Sequence, residues 1–210
     1  MKENPKRQAI LDAAYEQFCQ YGFRKTSMDD IARGSGVSRP SLYSYFENKD
    51  EIFRCVSISI HESALEKAHH LLNECTETSL IDRVTGALLA RHGPFQTAVV
   101  SYQHGAELHD EYSRLCGDIV TQSHQRFETM LASALRKASR LGEIDLKNGG
   151  HTASAVAELL NLAAAGLKRG AMDSKRFENR VMRLTRLAIT GLQAPKDDQP
   201  EDAGQTGSMA

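Results

Sequence analysis

Thr26-Ser27-Met28-Asp29-Asp30-Ile31-Ala32-Arg33-Gly34-Ser35-Gly36-Val37-Ser38-Arg39-Pro40-Ser41-Leu42-Tyr43-Ser44-Tyr45-Phe46 decides the fold of this 210-residue chain. It reads as two short helices joined by a tight turn. Ser27 can cap the first, with Asp30 three residues on as its capping-box partner. Ile31 and Ala32 face inward, and Ala32 is small where the two helices cross. Gly34 and Gly36 end the helix, and Gly36 falls where the turn needs a positive φ that a side chain resists. Val37 plugs the corner. Ser38 caps the second helix, Pro40 stands in its first turn where a missing N–H costs little, and Leu42 faces back toward the first. This is a helix-turn-helix, a unit whose second helix enters the DNA major groove.

Outward from this unit almost everything reads as helix, and strand signals are scarce. Toward the N-terminus, Ile10, Ala13, Ala14, Phe18 and Tyr21 form the stripe of a surface helix that Gly22 ends. Toward the C-terminus, Asn48 caps a fourth helix, with Glu51 at its third position. The stripe Phe53, Val56, Ile60, Ala64 and Leu71 carries it to about residue 73. A helix from Ser79 to Arg91 is expected to stop at Gly93-Pro94, with a further segment over about 95–106. One long helix is expected over about 111–141, closed by Gly142. Gly149-Gly150 is a break, and the last two helices span about 152–169 and 175–193. The expectation is an all-α chain: an N-terminal three-helix reading domain over 1–50, a larger helical domain over 51–193, and a disordered acidic tail over 194–210.

Composition removes several function classes. The 26 basic and 27 acidic residues leave a net charge of −1, which argues against a strongly basic DNA-coating protein. Residues 1–49 nevertheless carry +2, from eight Lys/Arg against six Asp/Glu, whereas 194–210 carry −3, from one Lys against four acids. Cys19, Cys55, Cys75 and Cys116 form no CxxC pair and read as reduced thiols. There is no signal-like opening and no apolar run of ~20 residues, so a soluble cytoplasmic protein away from membranes is expected. Of the eight histidines, His104 and His109 are turned roughly 140° apart on a helix, and His69-His70 point apart. No metal site and no cofactor are expected.

Residues 6–56 resemble the TetR/AcrR family of regulators. The turn, the Leu42-Tyr43-x-Tyr45-Phe46 run and the Asn48-Lys49-Asp50-Glu51 start of the fourth helix stand in that family's order. The resemblance implies a homodimer, an all-helical effector domain, and repression of an operator relieved by a small ligand. Ser38, Arg39, Pro40 and Ser41 open the recognition helix, the end that reaches base edges. Arg39 suits a guanine edge, with a phosphate as the alternative, and Pro40 offers apolar contact to a thymine methyl. Ser27, Tyr43, Tyr45 and Lys49 are placed for phosphates, as the resemblance also suggests. For the two tyrosines the alternative is packing; for Lys49 it is solvation. Asp29 and Asp30 read as structural partners of a helix N-terminus.

In the larger domain, Ala153, Val156, Ala157, Leu160, Ala163, Ala164 and Leu167 form a stripe rich in small residues. Phe177, Val181, Leu184, Leu187 and Ala188 form a second. By resemblance the last two helices make the dimer interface, through Val156, Leu160, Ala164, Leu167, Val181, Leu184 and Ala188; the alternative is intrachain core. The middle helices, which line the ligand pocket in the family, hold Tyr102, His104, His109, Tyr112, Cys116, His124, Phe127 and Met130, a mixture suited to a medium-sized, largely apolar molecule. Two other functions compete. An enzyme is disfavoured because no phosphate loop, nucleophile elbow, HExxH or paired-carboxylate motif is present. A DNA binder without an inducer would be favoured by a middle domain with no cavity.

Overall fold

Side-chain caps set where the helices begin. In the computed structural model, Asn4 accepts from the Lys6 amide and Pro5 opens α1 (Pro5–Tyr21). Ser27 and Asp30 close a reciprocal capping box on α2 (Met28–Gly34). Ser38 caps α3 (Arg39–Tyr45), and Asn48 caps α4 (Lys49–Asn73). Each cap satisfies amides that have no partner inside the helix. There follow α5 (Leu80–Ser101), α6 (Gly105–Leu115), α7 (Gly117–Arg140), α8 (Ala153–Gly166, capped by Thr152) and α9 (Ser174–Gly191, capped by Asp173). The structure describes residues 4–75, 77–101, 104–147, 150–168 and 173–193, with backbone alone for 95–101. Among the described residues there are helices and no strands. The all-α expectation is met. The tail 194–210 and Tyr102 lie outside the described residues.

Two boundaries differ from the sequence reading. α5 does not stop at Gly93-Pro94 but runs through it to Ser101. Pro94 is exposed, and its local cost is a missing backbone bond and the crowding of its ring against the Ala90 carbonyl. Up to that point Val84, Ala87, Leu88 and Ala90 hold the helix in the main core. The helix expected over 111–141 is instead two, α6 and α7, meeting at Cys116 with φ −125° and ψ 13°. Cys116 is fully buried. Beside it, the Arg54 guanidinium donates to the Leu115 carbonyl and forks onto both oxygens of Asp118, at 2.9 and 2.7 Å. A side chain from α4 thus satisfies the carbonyl that the kink leaves free, and the Arg54 bond holds the Asp118 carboxyl down to about 2.

Two apolar clusters result. One, built from α4, α5 and α7–α9, holds Phe127, Leu131, Leu135, Leu160 and Val181. The other lies under the helix-turn-helix and holds Ile10, Phe18, Ile31, Leu42, Phe46 and Phe53, together with Cys116 and Ile119 from the α6–α7 junction.

Two glycines allow a comparison. Gly36, with φ +68°, has nothing within 4 Å of where a Cβ would stand. Gly22, with φ +84° and ψ 161°, would place a Cβ 2.7 Å from Glu107 Oε2. Gly36→Ala therefore costs only left-handed strain, roughly 1 kcal/mol. Gly22→Ala enters a region open almost only to glycine, costs roughly 3 kcal/mol, and also displaces Glu107. Urea unfolding of the two variants checks this; equal losses would show that α6 does not press on Gly22.

Candidate nucleic-acid interface and effector cavity

The outer side of α3 presents Arg39, Pro40, Tyr43 and Ser44 to solvent, with Ser38 at its start. Arg39 Nη1 lies 3.1 Å from Asp29 Oδ2, and its guanidinium sits 5.8 Å from the Tyr43 ring centroid. Both contacts are exposed and weak enough for a phosphate or a base to replace. Ser27 and Ser38 are occupied as helix caps, and Ser41 is half-buried with its amide on Ser38 Oγ. Tyr45 is half-buried, and its hydroxyl accepts from Asn4 Nδ2 at 3.5 Å.

Lys49 does not stand with this group. Its Nζ donates to the carbonyls of Phe23 at 2.6 Å, Thr26 at 2.8 Å and Arg24 at 3.5 Å, and lies 4.3 Å from the Phe23 ring centroid. Partial burial lowers its pKa. The side chain staples the α1–α2 loop, an arrangement the sequence could suggest only through the free carbonyls of a helix C-terminus.

A cavity of about 120 Å³ opens behind the reading helices. Its lining comes from α1 (Tyr15, Phe18, Cys19), α4 (Phe53, Val56, Ser57, Ile60, His61), α5 (Pro94) and α6 (Leu108, His109, Tyr112). Of the residues expected to line a pocket, His109 and Tyr112 do so. His104 is the N-cap residue of α6, with Nδ1 3.9 Å from Glu107. Cys116 and Phe127 are sealed in the two cores, and Met130 packs against the main one. The sequence reading missed the α1 and α4 residues, because only tertiary packing brings them to α6.

α6 faces the cavity and also grips the reading head. Glu107 accepts from the Arg24 amide at 2.7 Å. Glu111, nearly buried, accepts from Arg24 Nε at 3.3 Å and from Arg114 Nε at 2.7 Å, and Arg114 then Arg24 hold its carboxyl below the ordinary range. Arg114 also reaches Asp50 at 3.6 Å.

Beyond the cavity lies a buried polar group. The Tyr112 hydroxyl shares a hydrogen bond with Nε2 of His61, whose pKa burial first and Arg91 second push down to about 4. His92 Nε2 donates to Asn161 Oδ1 at 2.9 Å; Asn161 in turn donates to Glu128 Oε1 at 2.8 Å and stands 3.4 Å from His124 Nδ1. Burial lowers His92 and His124, and it brings Lys168 down to about 8. Among the described residues no group of three or more His, Cys, Asp or Glu is arranged to hold a metal, and no helix is long and apolar enough to cross a membrane.

On α8 and α9, Val156, Leu160, Ala164 and Val181 are buried inside the subunit, and Leu167, Leu184 and Ala188 pack against the same core. Most of the expected interface stripe therefore faces inward. The large apolar side chains left exposed on these helices are Leu159, Leu162, Met182 and Leu187.

Residues 10–56 match the model of bacterial regulatory proteins of the tetR family. The uncharacterized HTH-type transcriptional regulator YhgD of Bacillus subtilis is 29% identical over 108 residues, 49% of this chain and 54% of that protein, so the chain spans about half the length of this relative. The fold is similar to a transcriptional regulator from Cytophaga hutchinsonii, with a TM-score of 0.76 at 17% identity over 91% of this chain and all of that one. It is also similar to SmeT, the repressor of the SmeDEF multidrug efflux pump of Stenotrophomonas maltophilia, with a TM-score of 0.62 at 21% identity over 87% of this chain and 89% of SmeT; SmeT is solved as well in complex with triclosan. Residues 10–56 are thus a helix-turn-helix of the tetR family of bacterial regulatory proteins, on a chain that shares its fold with solved transcriptional regulators over nine-tenths of its length.

Proposed function

We propose that this protein is a dimeric repressor that binds a palindromic operator and is released by a small, largely apolar effector. We divide it into a reading head over 1–50 and an effector-binding and dimerising part over 51–193. The observation that carries the reading is the double attachment of α6: Leu108, His109 and Tyr112 line the cavity, while Glu107 and Glu111 hold the α1–α2 loop through Arg24. A molecule that widens the cavity displaces α6, and the loop preceding Ser27 moves with it. The two recognition helices of a dimer then no longer match half-sites one helical turn apart. Operator affinity falls by the ligand's preference for the displaced state, typically 1–3 kcal/mol of coupling. A regulator without an inducer would need no such cavity. The triclosan complex of SmeT supports the reading by likeness of fold.

In the DNA complex, Arg39 leaves Asp29 for a base edge, Pro40 and Ser41 lie against the groove, and Ser27, Ser38, Tyr43 and Tyr45 face phosphates. Lys49 acts through the loop it staples. Gel-shift titrations at two salt concentrations, with melting curves, separate these roles. Arg39→Ala keeps its Tm and loses roughly 1–3 kcal/mol on the operator. Lys49→Ala lowers Tm and weakens binding without changing the salt slope; a slope reduced by about one would return Lys49 to the phosphates. An Arg39→Ala variant that binds like the parent would remove Arg39 from base contact.

The partner face is the exposed side of α8 and α9. Leu159→Glu with Leu187→Glu is expected to give a folded monomer in sedimentation analysis, with operator binding lost. A double variant that stays dimeric places the interface elsewhere.

A further inference from the structure

We propose that the effector is an amphiphilic carboxylate, its apolar body in the α1–α4–α6 cavity and its acid group on the Nε–Nη2 edge of Arg91. This rests on the effector reading above and adds the chemical class. Arg91 is only 6% exposed, yet among the described residues its Nε and Nη2 have no hydrogen-bond partner. Those two N–H groups form one edge of the guanidinium, the fork that grips a carboxylate with two parallel bonds. A buried unpaired cation is costly, so such groups are normally neutralised. The same helix supplies the comparison: Arg83, equally buried, also leaves its Nε unpartnered among the described residues but has Glu143 Oε2 at 2.5 Å to balance its charge.

No carboxylate of the described residues plays that part for Arg91. Around it Lys168 and Arg91 both depress His92 and His124, and Arg91 depresses His61. Glu128, the nearby acid on α7, accepts from Asn161 and not from Arg91. The Nε–Nη2 edge is thus open to a carboxylate from outside the chain. It adjoins the cavity, because His61 and Tyr112, which Arg91 acts upon, line it, and because Pro94 one turn along α5 lines it too. That turn is roughly 4.5 Å of helix axis, the reach of a three-carbon spacer. At about 120 Å³ the cavity approaches the roughly 150 Å³ that admits benzene in an apolar interior.

Three probes share one apolar body and differ in charge: 3-phenylpropanoate, 3-phenyl-1-propanol and 3-phenylpropylammonium. Calorimetric titration of the full chain is expected to give acid binding at least tenfold tighter than the alcohol, and no binding of the ammonium. Arg91→Met is expected to fold with a raised Tm, keep its alcohol affinity within threefold, and lose the preference for the acid. Arg91→Lys, which keeps the charge without the fork, retains part of it. Acid binding no tighter than alcohol, binding of none of the three, or a preference that survives Arg91→Met overturns the proposal. Operator gel shifts run in parallel keep the two readings apart. An acid that binds through Arg91 without altering operator affinity leaves the anion site standing and removes induction. An alcohol that releases the operator where the acid does not leaves induction standing and removes the anion site.

Discussion

The bond from the Arg24 amide to Glu107 is the contact on which the arrangement turns. It is a charge-assisted hydrogen bond to a loop that Lys49 staples from α4. Gly22 makes it feasible, since any side chain there would meet the carboxylate. Glu111 adds a second hold through Arg24, but that guanidinium is largely exposed and such pairs contribute little. The polar part of the restraint of α6 on the head is therefore a few kcal/mol, hydrogen bonds to charged groups giving about 1.5–3 each, and Leu108, Tyr112 and Leu115 add apolar packing to it. That is the scale a switch needs. A micromolar ligand carries about 8 kcal/mol of binding free energy, and only the part that differs between two states of α6 has to exceed the restraint.

The second constraint is electrostatic. Burying Arg91, His92 and Asn161 where α5, α7 and α8 meet replaces apolar packing with groups that must all be satisfied. Among the described residues, His92, Asn161 and Glu128 are bonded to one another, and the Nε–Nη2 edge of Arg91 is left unbonded. A core chosen for stability alone would hold a hydrocarbon there, since replacing buried charge with well-packed apolar groups is often neutral or stabilising. Under the proposed anion site, stability at this position is given up for binding.

Local signals made the reading head legible. The caps at Ser27, Ser38 and Asn48 and the positive φ of Gly36 follow from residues three or four apart, and the structure has them as read. What depended on distant partners was not legible. Pro94 reads as a stop, but α5, anchored in the core up to Ala90, continues across it. The Cys116 kink depends on Arg54, some 60 positions away. Lys49 looks like a solvated first-turn residue until the α1–α2 loop closes over it. The richest apolar stripes on α8 and α9 read as a partner surface for a similar reason: hydrophobicity marks the most buried face, and in this fold that face is the subunit's own core.

The proposed division near residue 50 is one of roles more than of packing. Phe18, Phe23 and Phe53 meet with ring centroids 5.1–5.4 Å apart, two of the three pairs edge to face. Phe18 and Phe53 also line the cavity, and Phe23 carries the Lys49 ammonium on its face. Cys116 and Ile119 complete the same cluster from the α6–α7 junction. A molecule in the cavity thus touches the core of the reading head directly. The path from cavity to α2 is short: two aromatic rings, a third beside them, one ammonium, and the carbonyls of Phe23 and Thr26 just before the Ser27 cap. Close-packed side chains respond to an added group by shifting as a unit rather than by compressing. The helix-turn-helix is therefore held by two contacts, α6 from outside and the aromatic cluster from within, and an occupant of the cavity presses on both.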